Sequence, residues 1–516
     1  MKRVRKRIGV PGIAVAAAAC SLLWVAEPAN AATASAGGGG TLVAGQSAEP
    51  DRFDPHLTTA YAAFQILENV YDTLVQPGPD LTMEPALATE WTVSEDQLTW
   101  TFTLREGVTF HNGSELTADD IVYSLERIRD PDVGSGAAFR LDAVDTIEAP
   151  DESTVVVTVS APTPNLLTLL GGYKGMAIVA EETVEDGSID TTPVGTGPFV
   201  FESYSPGDGV ELVRNENYWR ADEGLPHLDA VRFVAVPDPT VLLTNLQSGD
   251  VDWIDTVPPA ELQSLEASDD VEVGRVPGGD YHYFALNQER PPFDDVRVRQ
   301  AIAMAIDREE ITEAATFGAA TANQTAIPAG NFWYFEYAPY TAGDIEGAQA
   351  LLDEAGVDDL SIEFLVTSDF PETVTQAQVI AAQLEPLGVE VTINSVDFST
   401  WLDLQGSGEF DAFMLSWIGN IDPDEFYYAQ HHTDGTFNFQ GYSNPEVDEL
   451  LDAARVEVDE DARKDLYDEV ATIIVDDASY IYLYNPDNID AWLPDVTGYD
   501  TRGDNAVRFV ETEVGG

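Results

Sequence analysis

The chain has 516 residues, 44% of them hydrophobic, enough to bury the cores of two or three domains, which excludes a small or disordered protein. Its 92 acidic residues against 24 basic ones give a formal charge of −68, a surface that excludes nucleic acid and anionic lipid as partners. The single cysteine, Cys20, excludes a disulfide framework and thiolate metal sites.

The leader MKRVRKRIGVPGIAVAAAACSLLWVAEPANA sets five basic side chains ahead of an apolar run and ends on Ala29, Asn30 and Ala31. This is the pattern of a secretory signal over 1–31, cut after Ala31. Between Gly12 and Glu27 the apolar run is short for a bilayer span of roughly 20 residues. A lipid on Cys20 is the alternative, with the glycine-rich linker over 32–40 as a leash. Either way the protein is expected beyond the cytoplasmic membrane, periplasmic or at the cell surface. Without the leader's five basic residues and its one acid, 19 basic and 91 acidic residues remain, and lysine survives only at Lys174 and Lys464. Scattered acids with almost no lysine fit a halophilic protein, since a Debye length of roughly 3 Å at 1 M salt shrinks self-repulsion.

TLVAGQ then reads as a short strand, and a helix is expected from Tyr61 to Val75 after the turn-rich EPDRFDPH. TWTFTLREG puts Trp100, Phe102 and Leu104 on one face, the alternation of a half-buried strand. In HNGSELTADDIVYSLERI, Thr117 and Asp120 form a capping box, and Ile121, Leu125 and Ile128 make the stripe of a helix whose other side carries Tyr123. STVVVTVSA and GVELVRNENYW are further strands, with PVGTGPF between them as a tight turn at a domain boundary. Beyond Pro291 the spacing predicts helices over DVRVRQAIAMAIDREEI, GAQALLDEAG and TVTQAQVIAAQLEPLG, alternating with the strands SIEFLVT and VEVTINSV. Asn444 and Pro445 open one more helix, and Ala462, Leu466, Val470 and Ile473 stripe another. Strand and helix in alternation imply an α/β layered fold.

Motifs of catalysis are missing: there is no HExxH, no G-x-S-x-G elbow, no phosphate loop and no dinucleotide fingerprint. His431 and His432 are the only neighbouring histidines, and adjacent residues project in different directions, so no metal site is expected there. Paired carboxylates carry no signal in a chain this acidic. WIGNIDPDEFYYAQHH, from Trp417 to His432, nevertheless raises the choice between a metal site, an acid pair and the wall of a ligand pocket.

The run PALATEWTVSEDQLTWTFTLREGVTFHNGSELTADDIVYSLER, from Pro85 to Arg127, resembles the signature region of the family 5 extracytoplasmic solute-binding proteins of ABC transporters. The likeness continues through DPH at Asp54–His56, PVGTGPF, NENYW, LQSGDVD, FALNQERPPFDDVRVRQAIAMAIDR, GEFDAFMLSWIGNIDPD and NFQGYSNPEVDELL, in the family's order. The resemblance implies an α/β, two-lobed periplasmic-binding-protein-like fold with hinge crossings between the lobes and an additional inserted domain. Mapped by motif, lobe I takes 41–68, 185–283 and 488–516, the inserted domain 69–184 and lobe II 284–487.

It further implies a receptor of an ABC importer, not an enzyme, that captures a peptide or similar small solute by lobe closure and hands it to the permease subunits. The protein is expected to be a monomer without a cofactor. Peptide-binding relatives place an aspartate three residues past a tryptophan to take the ligand amine; here that tryptophan is Trp417 and the residue is Asn420, with Asp422 as a substitute two residues on. Ligand contacts are accordingly expected at Tyr123, Tyr281, Trp417, Gly419, Asn420, Asp422 and Tyr484, and no metal ligand. A nickel, nickel-chelate or oligosaccharide receptor on the same fold, or a secreted hydrolase with paired carboxylates, are the alternatives.

Overall fold

The computed structural model describes residues 39–172, 174–417 and 421–515. The leader with Cys20 and the cut after Ala31, most of the glycine linker, Gly419 and Asn420 lie outside the described residues.

TLVAGQ forms β1 (Thr41–Gln46), which buries Leu42 and Ala44. The next strands, β2 (Val75–Pro77) and β3 (Met83–Pro85), pair with each other. Then β4 (Ala88–Val93), β5 (Thr99–Leu104), β6 (Val144–Asp151) and β7 (Thr154–Val159) make an antiparallel sheet in the order β4-β5-β7-β6. Trp100, Phe102 and Leu104 are buried, as the alternation of β5 requires. They share one core with Ile121, Leu125 and Ile128 of the helix Ala118–Arg129, and burying each of those aliphatic side chains contributes about 1.5–3 kcal/mol. The Thr117 amide donates to Asp120 Oδ2 at 2.8 Å and closes the capping box that starts this helix.

The main sheet takes the rest of the chain. Its strands are β8 (Phe199–Ser205), β9 (Gly209–Arg214), β10 (Ala230–Ala235), β11 (Trp253–Ile254), β12 (Glu272–Pro277), β13 (Tyr281–Leu286), β14 (Ala320–Ala322), β15 (Ser361–Thr367), β16 (Glu390–Val396), β17 (Ala412–Trp417) and β18 (Ile481–Trp492). With β1 they run in the order β16-β15-β17-β13-β18-β11-β1-β10-β9-β8, while β12 and β14 also pair with β18. A short ladder of β19 (Val496–Thr497) with β20 (Glu513–Val514) ends the fold.

One strand, β18, belongs to both lobes: its first half pairs with β13 and β14, its second with β12 and β11. The chain thus crosses between lobes twice, at Gly278–Asp280 and at Pro486–Asp487, and the Gly278 amide donates to Pro486 O across the two crossings at 2.9 Å. Glycine is needed there, because a Cβ at 278 would meet Asn488 Oδ1 at 2.6 Å and Pro486 O at 2.8 Å.

Two helices differ from expectation. The first ends at Leu67 instead of Val75, because Asn69 O and Val70 O accept the amides of Phe199 and Gly197 at 2.9 Å each. PVGTGPF thereby ties down the chain where the inserted domain begins, and Gly195 O also accepts from the His111 amide. The run from Asp295 is two helices, Val296–Ala305 and Arg308–Thr316, since Ile306 turns extended and Asp307 caps the second through the Glu309 and Glu310 amides. GAQALLDEAG, TVTQAQVIAAQLEPLG and the helices from Pro445 and Glu460 form as expected, but the last turns Arg463, Tyr467, Val470 and Ile474 inward, leaving Ala462, Leu466 and Ile473 of the expected stripe half-buried.

Candidate functional site

Ladder direction decides where a ligand can sit. Register pairs Trp253 with Trp492 and Ile254 with Ala491 in antiparallel fashion, so β11 runs toward the crossing. Because β1 is parallel to β11 and to β10, all three lobe I strands end there, at Gln46, Ala235 and Ile254. In lobe II, Trp417 pairs with Tyr281 at the crossing end of β13, so β17 also ends there, and β15 and β16 lie parallel to it. The carboxyl ends of both sets of parallel strands therefore converge on the crossing from opposite sides, the place where open α/β sheets take their ligands.

The lobe I rim is polar. Gln46 Nε2 donates to Ala62 O at 3.0 Å and to Gln65 Oε1 at 2.5 Å, and Ser47 donates to the Asp255 carboxylate through its amide and hydroxyl. Burial raises the Asp255 pKa, opposed by those Ser47 bonds. Asp490 of β18, nearly enclosed and hydrogen-bonded by Tyr499 OH at 2.7 Å, is pushed up to about 6 by burial. Tyr61, 40% exposed, donates to Asn505 O, which Lys174 Nζ also reaches at 2.7 Å.

The lobe II rim is aromatic. Phe370 and Phe398 follow β15 and β16 and meet edge to face at 5.2 Å, while Trp417 closes β17 against Phe437 at 4.9 Å. Phe370 and Phe437 are each 37% exposed. Rigid rings of this kind give contact area at little entropic cost. None of Phe370, Phe398 and Phe437 was anticipated from sequence, although Phe370 and Phe398 lie within three residues of the ends of β15 and β16.

The expected ligand residues fall into different places. Trp417 stands half-buried on the rim. Gly419 and Asn420 follow it, outside the described residues. Tyr281 and Tyr484 are 1% exposed: Tyr281 OH donates to Gln430 Oε1 at 2.7 Å within a ring cluster of Tyr283, Phe426 and Tyr482, and Tyr484 stacks on His282 at 4.5 Å. Both lie inside lobe II rather than at its surface, because β13 is buried on both faces. Tyr123 is half-buried and packs against the lobe I core.

Asp422 is buried too. Its carboxylate takes two bonds from Arg463, at 2.6 and 2.7 Å, in a bidentate pair, so no free charge is left for a ligand amine. The stretch's other acids are also matched: Asp424 accepts from Arg455 at 2.9 Å, and Glu425 meets Arg140 of the inserted domain at 3.1 Å. Burial drives Glu425 up to about 7, with Arg140 pulling the other way. His431 hydrogen-bonds Ser479 Oγ and Tyr482 OH, and burial lowers it to about 3, so it is neutral. Its neighbour His432 stacks on Tyr428 at 4.4 Å. Among the described residues no group of three His, Cys, Asp or Glu side chains could hold a metal, and no helix is long and apolar enough to cross a membrane.

Residues 82–438 match the family described as bacterial extracellular solute-binding proteins, family 5 Middle. The chain belongs to this family. It is 30% identical to heme-binding protein A of Haemophilus influenzae, over 93% of this chain and 94% of that one. It is equally 30% identical to di/tripeptide-binding protein 2 of Pseudomonas aeruginosa, over 89% and 92%. Among solved structures, HbpA2 from Haemophilus parasuis superimposes with a TM-score of 0.85 at 25% identity, covering 92% of this chain and 99% of that one. The family member is thus a two-lobed α/β binding protein with an inserted domain, and the crevice described above lies between its lobes.

Proposed function

We propose that this family 5 protein is the extracytoplasmic receptor of an ABC importer, and that it takes a peptide or similar small solute into the crevice and presents the closed form to the permease. The observation that carries the reading is the convergence of the strand ends of both lobes on two adjacent crossings, since a hinge there lets polar and aromatic rims close on one ligand. Lobe I over 41–68, 185–283 and 488–516, the inserted domain over 69–184 and lobe II over 284–487 are the bodies we assign. Trp417, with Gly419 and Asn420 after it in the chain, is the lobe II contact; Asp422, Tyr281 and Tyr484 support that wall from behind, and Tyr123 secures the inserted domain against lobe I. With Asn420 accepting hydrogen bonds but carrying no charge, a ligand whose amine is blocked or absent suits the site better than a free dipeptide.

A signal sequence cut after Ala31, a surface adapted to salt and a monomeric state complete the proposal. The relatives' names span heme and di- or tripeptides, so the solute class has to be measured. In about 1 M potassium chloride, which screens the acidic surface, the thermal midpoint is followed with libraries of peptides, oligosaccharides, hemin and nickel chelates. A ligand at 100 times its Kd adds roughly 2.7 kcal/mol. Peptides are expected to shift the midpoint, and Trp417→Ala to weaken the best of them about tenfold or more. Oligosaccharides or nickel chelates acting while peptides as a class do not would overturn the peptide reading.

A further inference from the structure

A second cavity, of about 500 Å³, lies between lobe I and the inserted domain, with no lobe II residue in its wall. Charge is distributed there in a way found nowhere else among the described residues. The mature chain has 19 basic residues and 91 acids, and five of the basic ones line this cavity: Arg105, Lys174, Arg220, Arg502 and Arg508. With acids in such excess, a base left without one needs a reason.

Fifteen of the 19 form an ion pair within 4.0 Å. Two of the other four, Arg299 and Arg308, are buried in lobe II and spend their donors on main-chain carbonyls. The remaining two, Arg105 and Arg508, both face the cavity. Arg105 lies over the Trp219 ring at 4.2 Å and gives Nε to Ala86 O at 3.2 Å. Arg508 reaches only Gln76 Oε1 and Pro77 O, each at 3.4 Å from Nη1.

The acids in the wall do not neutralise them. Glu68 is taken by Lys174, Asp504 by Arg502, and Glu223 and Glu511 by Arg220. Glu84 and Asp500 are exposed. Asp72 feels both guanidiniums, but its Oδ2 is occupied by Thr196 Oγ1 at 2.8 Å and Trp219 Nε1 at 3.0 Å, and burial raises its pKa. One carboxylate would offset one guanidinium at most. The local field is read by Asp504: burial acts to raise it, yet Arg502, with Arg508 and Lys174 beyond, holds its carboxyl below the ordinary range.

We infer that this cavity, which shares Lys174 with the lobe I rim, is a second binding site beside the crevice for a small oxyanion of at least two charges, a phosphate or a polycarboxylate, gripped between Arg105 and Arg508. Guanidinium donors lining a cavity match such oxygens in pairs. The short screening length in strong salt keeps the acidic exterior from repelling an anion that enters.

The test is calorimetric titration of the full mature chain with inorganic phosphate and with citrate, in about 1 M potassium chloride so that chloride competes throughout. Saturable binding of at least one is expected, reduced about tenfold or more in R105Q/R508Q. R290Q, outside the cavity, leaves it unchanged. In the wild-type chain, modification by an arginine-selective reagent, mapped by mass spectrometry, should be suppressed by the bound anion at Arg105 and Arg508 specifically, so the outcome does not depend on the variant folding. No saturable binding of either anion, affinity within twofold in the double variant, or protection spread evenly over all arginines would each overturn the assignment. Crevice ligands should bind the double variant as they bind the parent, so failure here is distinguishable from failure of the receptor reading.

Discussion

The inserted domain meets both lobes, and the cavities on its two sides differ in how their charges are matched. Toward lobe II, Arg140 meets Glu425 in the lobe itself, and a cavity of about 240 Å³ is bounded by Asp422 with its bidentate partner Arg463. Toward lobe I, Arg127 and Lys174 are likewise matched, to Asp54 and Glu68, but the larger cavity leaves Arg105 and Arg508 without an ion-pair partner. Matched buried charges fix a geometry, whereas unmatched ones facing open space keep their donors for something that arrives. In a mature chain with 91 acids to 19 bases, the absence of a partner is more informative than its presence.

Substitutions on the two sides should therefore differ sharply in cost. The largest effect is expected for Asp422→Asn, which strands the buried Arg463 charge and should lower the unfolding free energy in urea by about 3–5 kcal/mol. A loss under 1 kcal/mol would mean that Arg463 finds water or another acceptor.

An intermediate and pH-dependent effect is expected for Glu425→Gln. Because the folded-state pKa of about 7 lies above the ordinary 4.5, Glu425 contributes stability at acid pH that is lost as pH rises through 7. Glutamine does not titrate, so from pH 5 to 8 the stability difference should move in favour of the variant by about 3 kcal/mol. A difference flat across that range would show that Arg140 keeps Glu425 ionised throughout.

The smallest effect belongs to the lobe I side: Arg508→Gln, which gives up only two long hydrogen bonds, should change stability by no more than about 0.5 kcal/mol. A cost near that of Asp422→Asn would erase the contrast and make Arg508 a structural residue.

Local signals were legible in the sequence and tertiary ones were not. The capping box at Thr117 and the stripe Ile121, Leu125 and Ile128 depend on neighbours within one helix, and both form. The early end of the Tyr61 helix depends on amides from Gly197 and Phe199, more than 120 residues away. Likewise the break at Ile306 is held by Gln383, whose Oε1 accepts from the Asp307 amide at 3.0 Å. The half-buried position of Trp417 at the end of β17 agrees with its motif. Tyr281 and Tyr484 could not be placed from sequence, since alternation along a strand separates two faces without saying that both are core. Asp422 looked available because nothing in its surroundings reveals Arg463, 41 positions on.

The shared strand β18 also limits how the protein can move. Lobes joined by loose tethers swing in many directions, but here twelve residues of one strand run through both bodies, and the second crossing is bonded alongside at Gly278 and Pro486. Two parallel connections a hydrogen bond apart form an axle, resisting sideways shear while allowing rotation about their common line. The permease would then meet essentially one coordinate, the angle between lobes, so a bound solute needs to set only that angle to be recognised.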